Sequence, residues 1–198
     1  MSCSARLDSF AYRRPDLAGR VHVFKVDHPH TQRWKRQRLT EAGLDPVVDL
    51  TFASVDFERQ TLRDGLEDAS FCFSEPAVFS WIGVTMYLTL DAIRETLATL
   101  ACGARGTTIV LTYNQPPEAL TGLGAQTQST LSRIITEMGE PFVSLFRPEE
   151  IEAPLRDVGY TDIHHFGPSE AVAVYFAGQS NGLFTDECGV STARRLLR

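Results

Sequence analysis

The chain has 198 residues, a length typical of one domain or slightly more. Hydrophobic residues make up 43% and charged residues 22%, a globular balance that excludes a coiled coil or a largely disordered chain. The net charge of −6 argues against a nucleic-acid partner, because such proteins carry a basic face that releases counterions from phosphates. The composition therefore favours a protein that acts on small molecules.

The cysteines and the apolar runs indicate the compartment. Cys3, Cys72, Cys102 and Cys188 are too far apart for a C-x-x-C motif, and we expect free thiols in a reducing environment. No apolar run reaches the length of about 18 residues that a membrane-spanning helix needs, and the first residues lack the apolar core of a signal peptide. We therefore expect a cytoplasmic protein without a membrane partner.

Strand patterns alternate with helical patterns over the first part of the chain. Strands are predicted, in chain order, at residues 21–26, 46–52, 76–82 and 107–113. Helices are predicted at residues 29–42 and 60–67, and a third helix begins after Thr89 and carries apolar residues at helical spacing up to Leu100. This alternation predicts a parallel sheet with helices on both faces.

The remainder of the chain is predicted to complete the sheet. One helix is expected around residues 131–138, and another begins at Pro148 and ends at Gly159. Strands at residues 161–166 and 171–176 predict an antiparallel hairpin. We assign residues 1–178 to one domain of the α/β class with a Rossmann-like sheet, and residues 179–198 to a polar C-terminal tail.

The candidate binding residues stand where predicted strands end, because open parallel sheets bind ligands at the carboxyl ends of their strands. Asp27 closes the first clear strand, and its carboxylate could accept hydrogen bonds from two ribose hydroxyls; alternatively, it caps the following helix. Asp56 and Phe57 combine an acceptor with an aromatic face, as an adenine requires, although a strand-exit aspartate is also a common turn residue. Gly83 ends the third strand.

No motif identifies a catalytic residue or a metal site. His28 and His30 flank a proline and have no third ligand at a recognisable spacing, so no metal is predicted. The chain contains no G-x-S-x-G elbow, no phosphate-binding lysine loop and no H-E-x-x-H sequence. The catalytic residue is therefore left unassigned.

An ordered series of short stretches resembles the leucine carboxyl methyltransferase family, a group of class I S-adenosylmethionine-dependent methyltransferases, and in particular its actinobacterial branch. The stretches are LDSFAYR at 7–13, VFKVDHP at 23–29, VDF at 55–57, FSWIGVTMYL at 79–88, GEPF at 139–142 and RPEEI at 147–151. Each stretch is weak by itself, and the resemblance depends on their combination and order.

The resemblance implies that the cofactor is S-adenosylmethionine. Asp27 would then hold the ribose hydroxyls, while Asp56 and Phe57 would bind the adenine. The other contacts that the resemblance implies lie along the methionine part of the cofactor and below its amino-acid group: Ile82, Gly83, Asp8 and Arg13.

The chain departs from the family pattern in several places. Ser4 and Arg6 stand where a G-x-G-x-D motif would have glycines, and the long side chain of Arg6 enters space that the cofactor approaches. Lys25 and Ile82 stand where many family members carry glutamate. The first strand of the fold and the helices that cover the substrate are expected to be missing, as in an N-terminally truncated domain. The neighbouring strands would then lack ladder partners.

The leading hypothesis is a methyltransferase that moves a methyl group from S-adenosylmethionine to a carboxylate or hydroxyl of a small molecule. Two alternatives stay open: a catalytically inactive remnant that acts as a binding module, and an NAD-dependent oxidoreductase, whose ribose Asp27 would suit equally well. A sheet with an unfilled gap could also recruit a second chain, so a homo-oligomer is considered.

Overall fold

The computed structural model contains a seven-stranded sheet with the strand order β3-β2-β1-β4-β5-β7-β6. The structure describes residues 2–3, 8–57, 59–175 and 188–194. The strands are β1 (Ser2–Cys3), β2 (His22–Asp27), β3 (Asp49–Ser54), β4 (Val78–Trp81), β5 (Thr108–Asn114), β6 (Asp162–Phe166) and β7 (Cys188–Arg194). The α-helices are α1 (Phe10–Arg13), α2 (Pro29–Glu41), α3 (Leu62–Asp68), α4 (Leu90–Leu100), α5 (Gly122–Glu137), α6 (Pro148–Asp157) and α7 (Pro168–Tyr175).

Five strands run parallel and two complete the sheet in the antiparallel direction. β3, β2, β1, β4 and β5 pair with their neighbours in parallel. β7 lies between β5 and β6 and is antiparallel to both. The predicted class, an α/β domain with a mainly parallel sheet and an antiparallel C-terminal part, is confirmed.

Apolar side chains pack against both faces of the sheet. Val26, on one face of β2, belongs to the larger cluster, to which α4 contributes Ile93 and Leu97. Val23 has the opposite strand parity and belongs to a smaller cluster with Ala11 of α1. The sheet therefore carries an apolar layer on each of its faces.

The start of α4 illustrates how local sequence sets an element boundary. Thr89 has an extended backbone, and its hydroxyl accepts a hydrogen bond from the backbone amide of Ala92 at 3.3 Å. Ile93, Leu97 and Leu100 then face the core, and each is fully buried. The predicted N-cap and helix are confirmed, because the capping residue and the apolar spacing favour the same structure.

The second closing strand lies in a different segment from the predicted one. Residues 171–176 were expected to form it, whereas residues 168–175 form the helix α7. Pro168 stands in the first turn with Glu170, and both residue types favour a helix start. The partner of β6 is instead β7, in the segment expected to be a polar tail. The tail prediction is therefore wrong for Cys188–Arg194.

The expected absence of the first strand is also corrected. Ser2–Cys3 form a two-residue strand that lies between β2 and β4 and runs parallel to both. It pairs with residues 25–26 of β2 and residues 80–81 of β4 only. Two residues are too few to show the alternation of apolar and polar side chains that marks a strand in sequence, so the pattern could not reveal it.

Candidate functional site

Four parallel strands end along the same edge of the sheet, and the candidate residues follow them. In sheet order, this edge carries Asp56 and Phe57 after β3, Asp27 at the end of β2, and the Ile82–Gly83 turn after β4. These strand ends therefore lie along one edge of the sheet.

Asp27 is a partly buried residue with a local hydrogen bond. Its Oδ1 accepts from the backbone amide of His28 at 2.9 Å, and among the described residues Oδ2 has no hydrogen-bond partner. The helix α2 is capped by His28, whose Nδ1 accepts from the amide of His30 at 3.2 Å. The alternative role of Asp27 as the N-cap of this helix is therefore not what the structure shows.

Asp56 and Phe57 lie beside Asp27 at the end of the neighbouring strand. The amide of Val55 donates to the carbonyl of Asp27 at 3.0 Å, which joins the two strand ends. The carbonyl of Asp56 accepts from the amide of Arg59 at 2.9 Å, and this turn fixes the backbone there. The ring of Phe57 is 63% exposed. An exposed aromatic face beside two carboxylates can bind a flat polar ring.

The turn after β4 places the backbone of Gly83, which carries no side chain, at the same edge. Gly83 has a φ of +72°, which L-residues rarely adopt, and a Cβ built there would meet no atom within 4 Å. Its amide donates to the hydroxyl of Thr112 at 2.7 Å, and the Thr85 hydroxyl donates to the Thr112 carbonyl at 2.5 Å. The turn is therefore fixed to β5. Ile82 beside it is 36% exposed.

Asp8 is held by two lysines that the sequence analysis did not connect. The Lys25 ammonium lies 2.6 Å from Asp8 Oδ2 and 2.5 Å from its carbonyl oxygen. The Lys35 ammonium lies 3.4 Å from the same carbonyl. Both lysines are buried, at 5% and 8% exposure, and they are the only lysines in the chain. The sequence did contain a signal for this cluster, since Lys25 lies within an apolar strand. Burying an unpaired ammonium is costly, so such a lysine is expected to have an acidic partner.

Burial and charge act in opposite directions on this cluster. Burial raises the pKa of the Asp8 carboxyl, but hydrogen bonds from Lys25 and the Phe10 amide, with the charges of both lysines, lower it overall. Burial, followed by the like charge of Lys25, lowers the pKa of Lys35 to about 8, although Asp8 and Asp27 oppose this. The Asp8 carboxyl is thus ionised at neutral pH and forms an ion pair with Lys25.

The remaining predicted residues are not brought to this edge by any described contact. Arg13 is the exposed last residue of α1. Ser4 and Arg6 lie outside the described residues. In residues 8–57, 59–175 and the two short strands at either end, no group of three metal-ligating side chains was found. None of the helices in the described part is both long and apolar enough to cross a membrane.

Comparison with solved structures identifies the class of fold. A DUF574 family protein from Streptomyces avermitilis MA-4680 matches with a TM-score of 0.62 and 16% identity over 91% of this chain and 68% of its own. Human N-acetylserotonin methyltransferase in complex with SAM matches with a TM-score of 0.55 and 12% identity over 89% of this chain and 41% of its own. The fold is that of the class I S-adenosylmethionine-dependent methyltransferases.

Sequence comparison points to related proteins. The family model for leucine carboxyl methyltransferase matches residues 4–101, so this part of the chain is similar to that family. A relative from Bacillus subtilis (strain 168), named "Putative S-adenosyl-L-methionine-dependent methyltransferase YktD", is 30% identical over 181 residues, which are 90% of this chain and 59% of the relative. The chain therefore spans less than two thirds of the length of this relative.

Proposed function

We propose that the chain binds S-adenosylmethionine at the edge formed by β3, β2, β1 and β4 and takes part in methyl transfer to an oxygen of a small molecule. The observation that carries the proposal is the placement of Asp27 and Asp56 at the ends of adjacent parallel strands, with the open Gly83 turn further along the same edge. The match of residues 4–101 to the leucine carboxyl methyltransferase family model and the name of the Bacillus subtilis relative support the same cofactor.

The residues at this edge fit the parts of that cofactor. The Oδ2 atom of Asp27 can accept a ribose hydroxyl, and a carboxylate has further acceptor sites for the second hydroxyl. Asp56 can accept the adenine amino group, while the exposed ring of Phe57 provides a face for the adenine. The Gly83 turn offers backbone without a side chain to the methionine part.

The cofactor supplies an electrophilic methyl group on a sulfonium, so the protein has mainly to align the acceptor oxygen with it. Such positioning contributes about 7–11 kcal/mol to lowering a barrier. A carboxylate acceptor is already ionised at neutral pH and needs no general base, whereas a hydroxyl acceptor needs one. No described residue is assigned as a base, and both a carboxylate and a hydroxyl are kept as acceptors.

One observation favours a second candidate, a remnant that binds a partner without cofactor. Among the described residues, β1 pairs only through Ser2 and Cys3, a short ladder for a strand in the middle of a sheet. The oxidoreductase alternative has no comparable support, because neither the Bacillus subtilis relative nor the two solved structures described above is named as a nicotinamide-dependent enzyme. Affinity for S-adenosylmethionine separates the methyltransferase from the remnant.

Replacing Asp27 with asparagine tests the proposal. Asp27→Asn retains the size of the side chain but removes its charge, and a hydrogen bond to a charged group contributes about 1.5–3 kcal/mol. We expect S-adenosylmethionine to bind about ten- to a hundred-fold more weakly, as measured by titration calorimetry. The matched control is Asp49→Asn, at the amino end of β3, which is exposed and should leave affinity unchanged. Equal loss in both variants, or none in Asp27→Asn, contradicts the proposal.

A further inference from the structure

The helix α5 belongs to a segment of the chain that starts and ends at the carboxyl ends of β4 and β5. It follows β5, whose last residue is Asn114. After α5, the amide of Phe146 donates to the carbonyl of Asn114 at 2.9 Å. The amide of Val143 donates at 2.7 Å to the carbonyl of Met86, which lies shortly after the Gly83 turn. The segment that carries α5 is therefore fixed beside the proposed cofactor edge.

The most buried of the described side chains of α5 is a glutamine, whereas a helix on the surface of a fold usually buries apolar side chains. Gln128 is 1% exposed, and neither its Nε2 nor the buried Oγ of Ser132 has a hydrogen-bond partner among the described residues. The two residues are four apart, so they lie on the same face of the helix. Leu131 and Ile134 are instead 37% and 42% exposed. Contacts within the described chain thus do not explain why these two polar groups are buried.

The chemistry of these unpaired atoms indicates what would bind to them. Nε2 of Gln128 donates two hydrogen bonds and accepts none, and the Ser132 hydroxyl can also donate. A buried donor without a partner is unfavourable, and a ligand with acceptor oxygens would remove this cost. The charged residues of α5, Arg133 and Glu137, form an exposed ion pair at 2.8 Å, so the acid of this helix is neutralised. A carboxylate, which only accepts hydrogen bonds, matches these donors best.

We propose that Gln128 and Ser132 bind the carboxylate of the methyl acceptor, so that the substrate is a carboxylic acid. This inference rests on the proposed function, because it assigns the acceptor side of the same site. One carboxylate oxygen accepts from Nε2 of Gln128, and the other attacks the methyl carbon of S-adenosylmethionine. The O–C bond forms as the S–C bond breaks, and the electron pair of the broken bond stays on sulfur. The products are a methyl ester and S-adenosylhomocysteine, and no proton is transferred.

Titration calorimetry with two matched probes, hexanoate and hexan-1-ol, tests this proposal on the chain saturated with S-adenosylhomocysteine. We expect the wild type to bind hexanoate at millimolar concentration and hexan-1-ol at least about ten-fold more weakly, because hydrogen bonds to a charged group are stronger. Gln128→Leu should weaken hexanoate binding at least about ten-fold. Gln126→Leu, at an exposed residue of the same helix, should leave it unchanged. No binding of hexanoate, equal binding of the two probes, or unchanged affinity in Gln128→Leu would overturn the proposal.

Stability distinguishes a binding role of Gln128 from a structural one. Leucine is close to glutamine in size, so Gln128→Leu removes an unpaired buried donor without leaving a large cavity. The midpoint of thermal unfolding of the free protein should therefore equal or exceed that of the wild type. A lower midpoint than in Gln126→Leu would contradict the proposal, because the amide would then have a partner within the fold.

The affinity for S-adenosylhomocysteine separates this inference from the proposed function on which it rests. Gln128→Leu should bind S-adenosylhomocysteine as tightly as the wild type does, since Gln128 is assigned to the acceptor and not to the cofactor. A wild type that binds S-adenosylhomocysteine but not hexanoate would contradict the acceptor site alone. A wild type that binds hexanoate through Gln128 but not S-adenosylhomocysteine would contradict the proposed function.

Discussion

Lys25, Lys35 and Asp8 place two ammonium groups and one carboxylate in a largely buried space. Removing a carboxylate from such a cluster would leave two like charges with little access to water, and this is unfavourable in a medium less polar than water. Burial, followed by the like charge of Lys25, lowers the pKa of Lys35 to about 8. The cost of two positive charges is thus reduced by release of a proton from Lys35 as the pH rises.

The pKa of Lys35 can be measured directly because the chain has only two lysines. With ¹³C-labelled lysine, NMR should show two side-chain signals, one of which is lost in Lys35→Met. We expect that signal to titrate with a midpoint near pH 8. A midpoint near the ordinary lysine value of 10.5 would show that burial and Lys25 do not act on Lys35 as described.

Stability should depend on pH in the same window. The folded-state pKa of about 8 lies below the ordinary value of 10.5, so between these values the unfolded chain binds more protons than the folded chain. The free energy of unfolding of the wild type, relative to Lys35→Met, should therefore rise with pH by at most about 1.4 kcal/mol per unit. Urea unfolding of both proteins at pH 7.5, 8.5 and 9.5 measures this difference.

At the level of elements, α3 packs closely on the end of β3, just before Asp56. A Cβ added to Gly65 would lie 2.3 Å from Cγ2 of Val55 and 2.9 Å from Nε2 of Gln60. Val55 is fully buried, so it has little room to move. The glycine thus permits the helix to approach the strand whose end carries the candidate adenine-binding residues.

In Gly65→Ala, the sign of the change in the free energy of unfolding distinguishes the effect of helix propensity from that of packing. Propensity alone would stabilise the helix by about 1 kcal/mol, whereas overpacking costs about 1–3 kcal/mol. We expect packing to dominate and the free energy of unfolding to fall by about 1–2 kcal/mol in urea unfolding. Gly167→Ala, where a Cβ meets nothing within 4 Å, should change stability by less than about 0.5 kcal/mol. An unchanged or more stable Gly65→Ala would contradict the packing argument.

Elements with two agreeing local signals could be predicted from the sequence. The helix α4 has both a capping threonine and apolar residues at helical spacing, and β5 is rich in β-branched residues. The segment 168–175 gave conflicting signals, because its short apolar side chains suit either a strand or a helix, while Pro168 favours a helix start. In the structure, β7 pairs with β6, and residues 168–175 form a helix.

At the level of the whole molecule, the sequence could indicate the edge of the sheet but not its full order. The rule that strand ends bind ligands directed attention to Asp27 and Asp56, and the parallel pairing of β2 with β3 places their strand ends side by side. The position of β7 between β5 and β6 depends on contacts far apart in sequence, which local patterns do not encode. The same holds for the two lysines at Asp8, which come from β2 and α2.

The carboxyl edge of β3, β2, β1 and β4 is proposed to bind S-adenosylmethionine. Amide hydrogen exchange with and without S-adenosylhomocysteine, the non-reactive product form, tests it most directly. We expect slower exchange in residues 55–57 and 82–84 when the ligand is present, and unchanged exchange at the opposite edge, in residues 47–49 and 106–108. Protection confined to the opposite edge, or no protection at a ligand concentration that saturates binding, would contradict it.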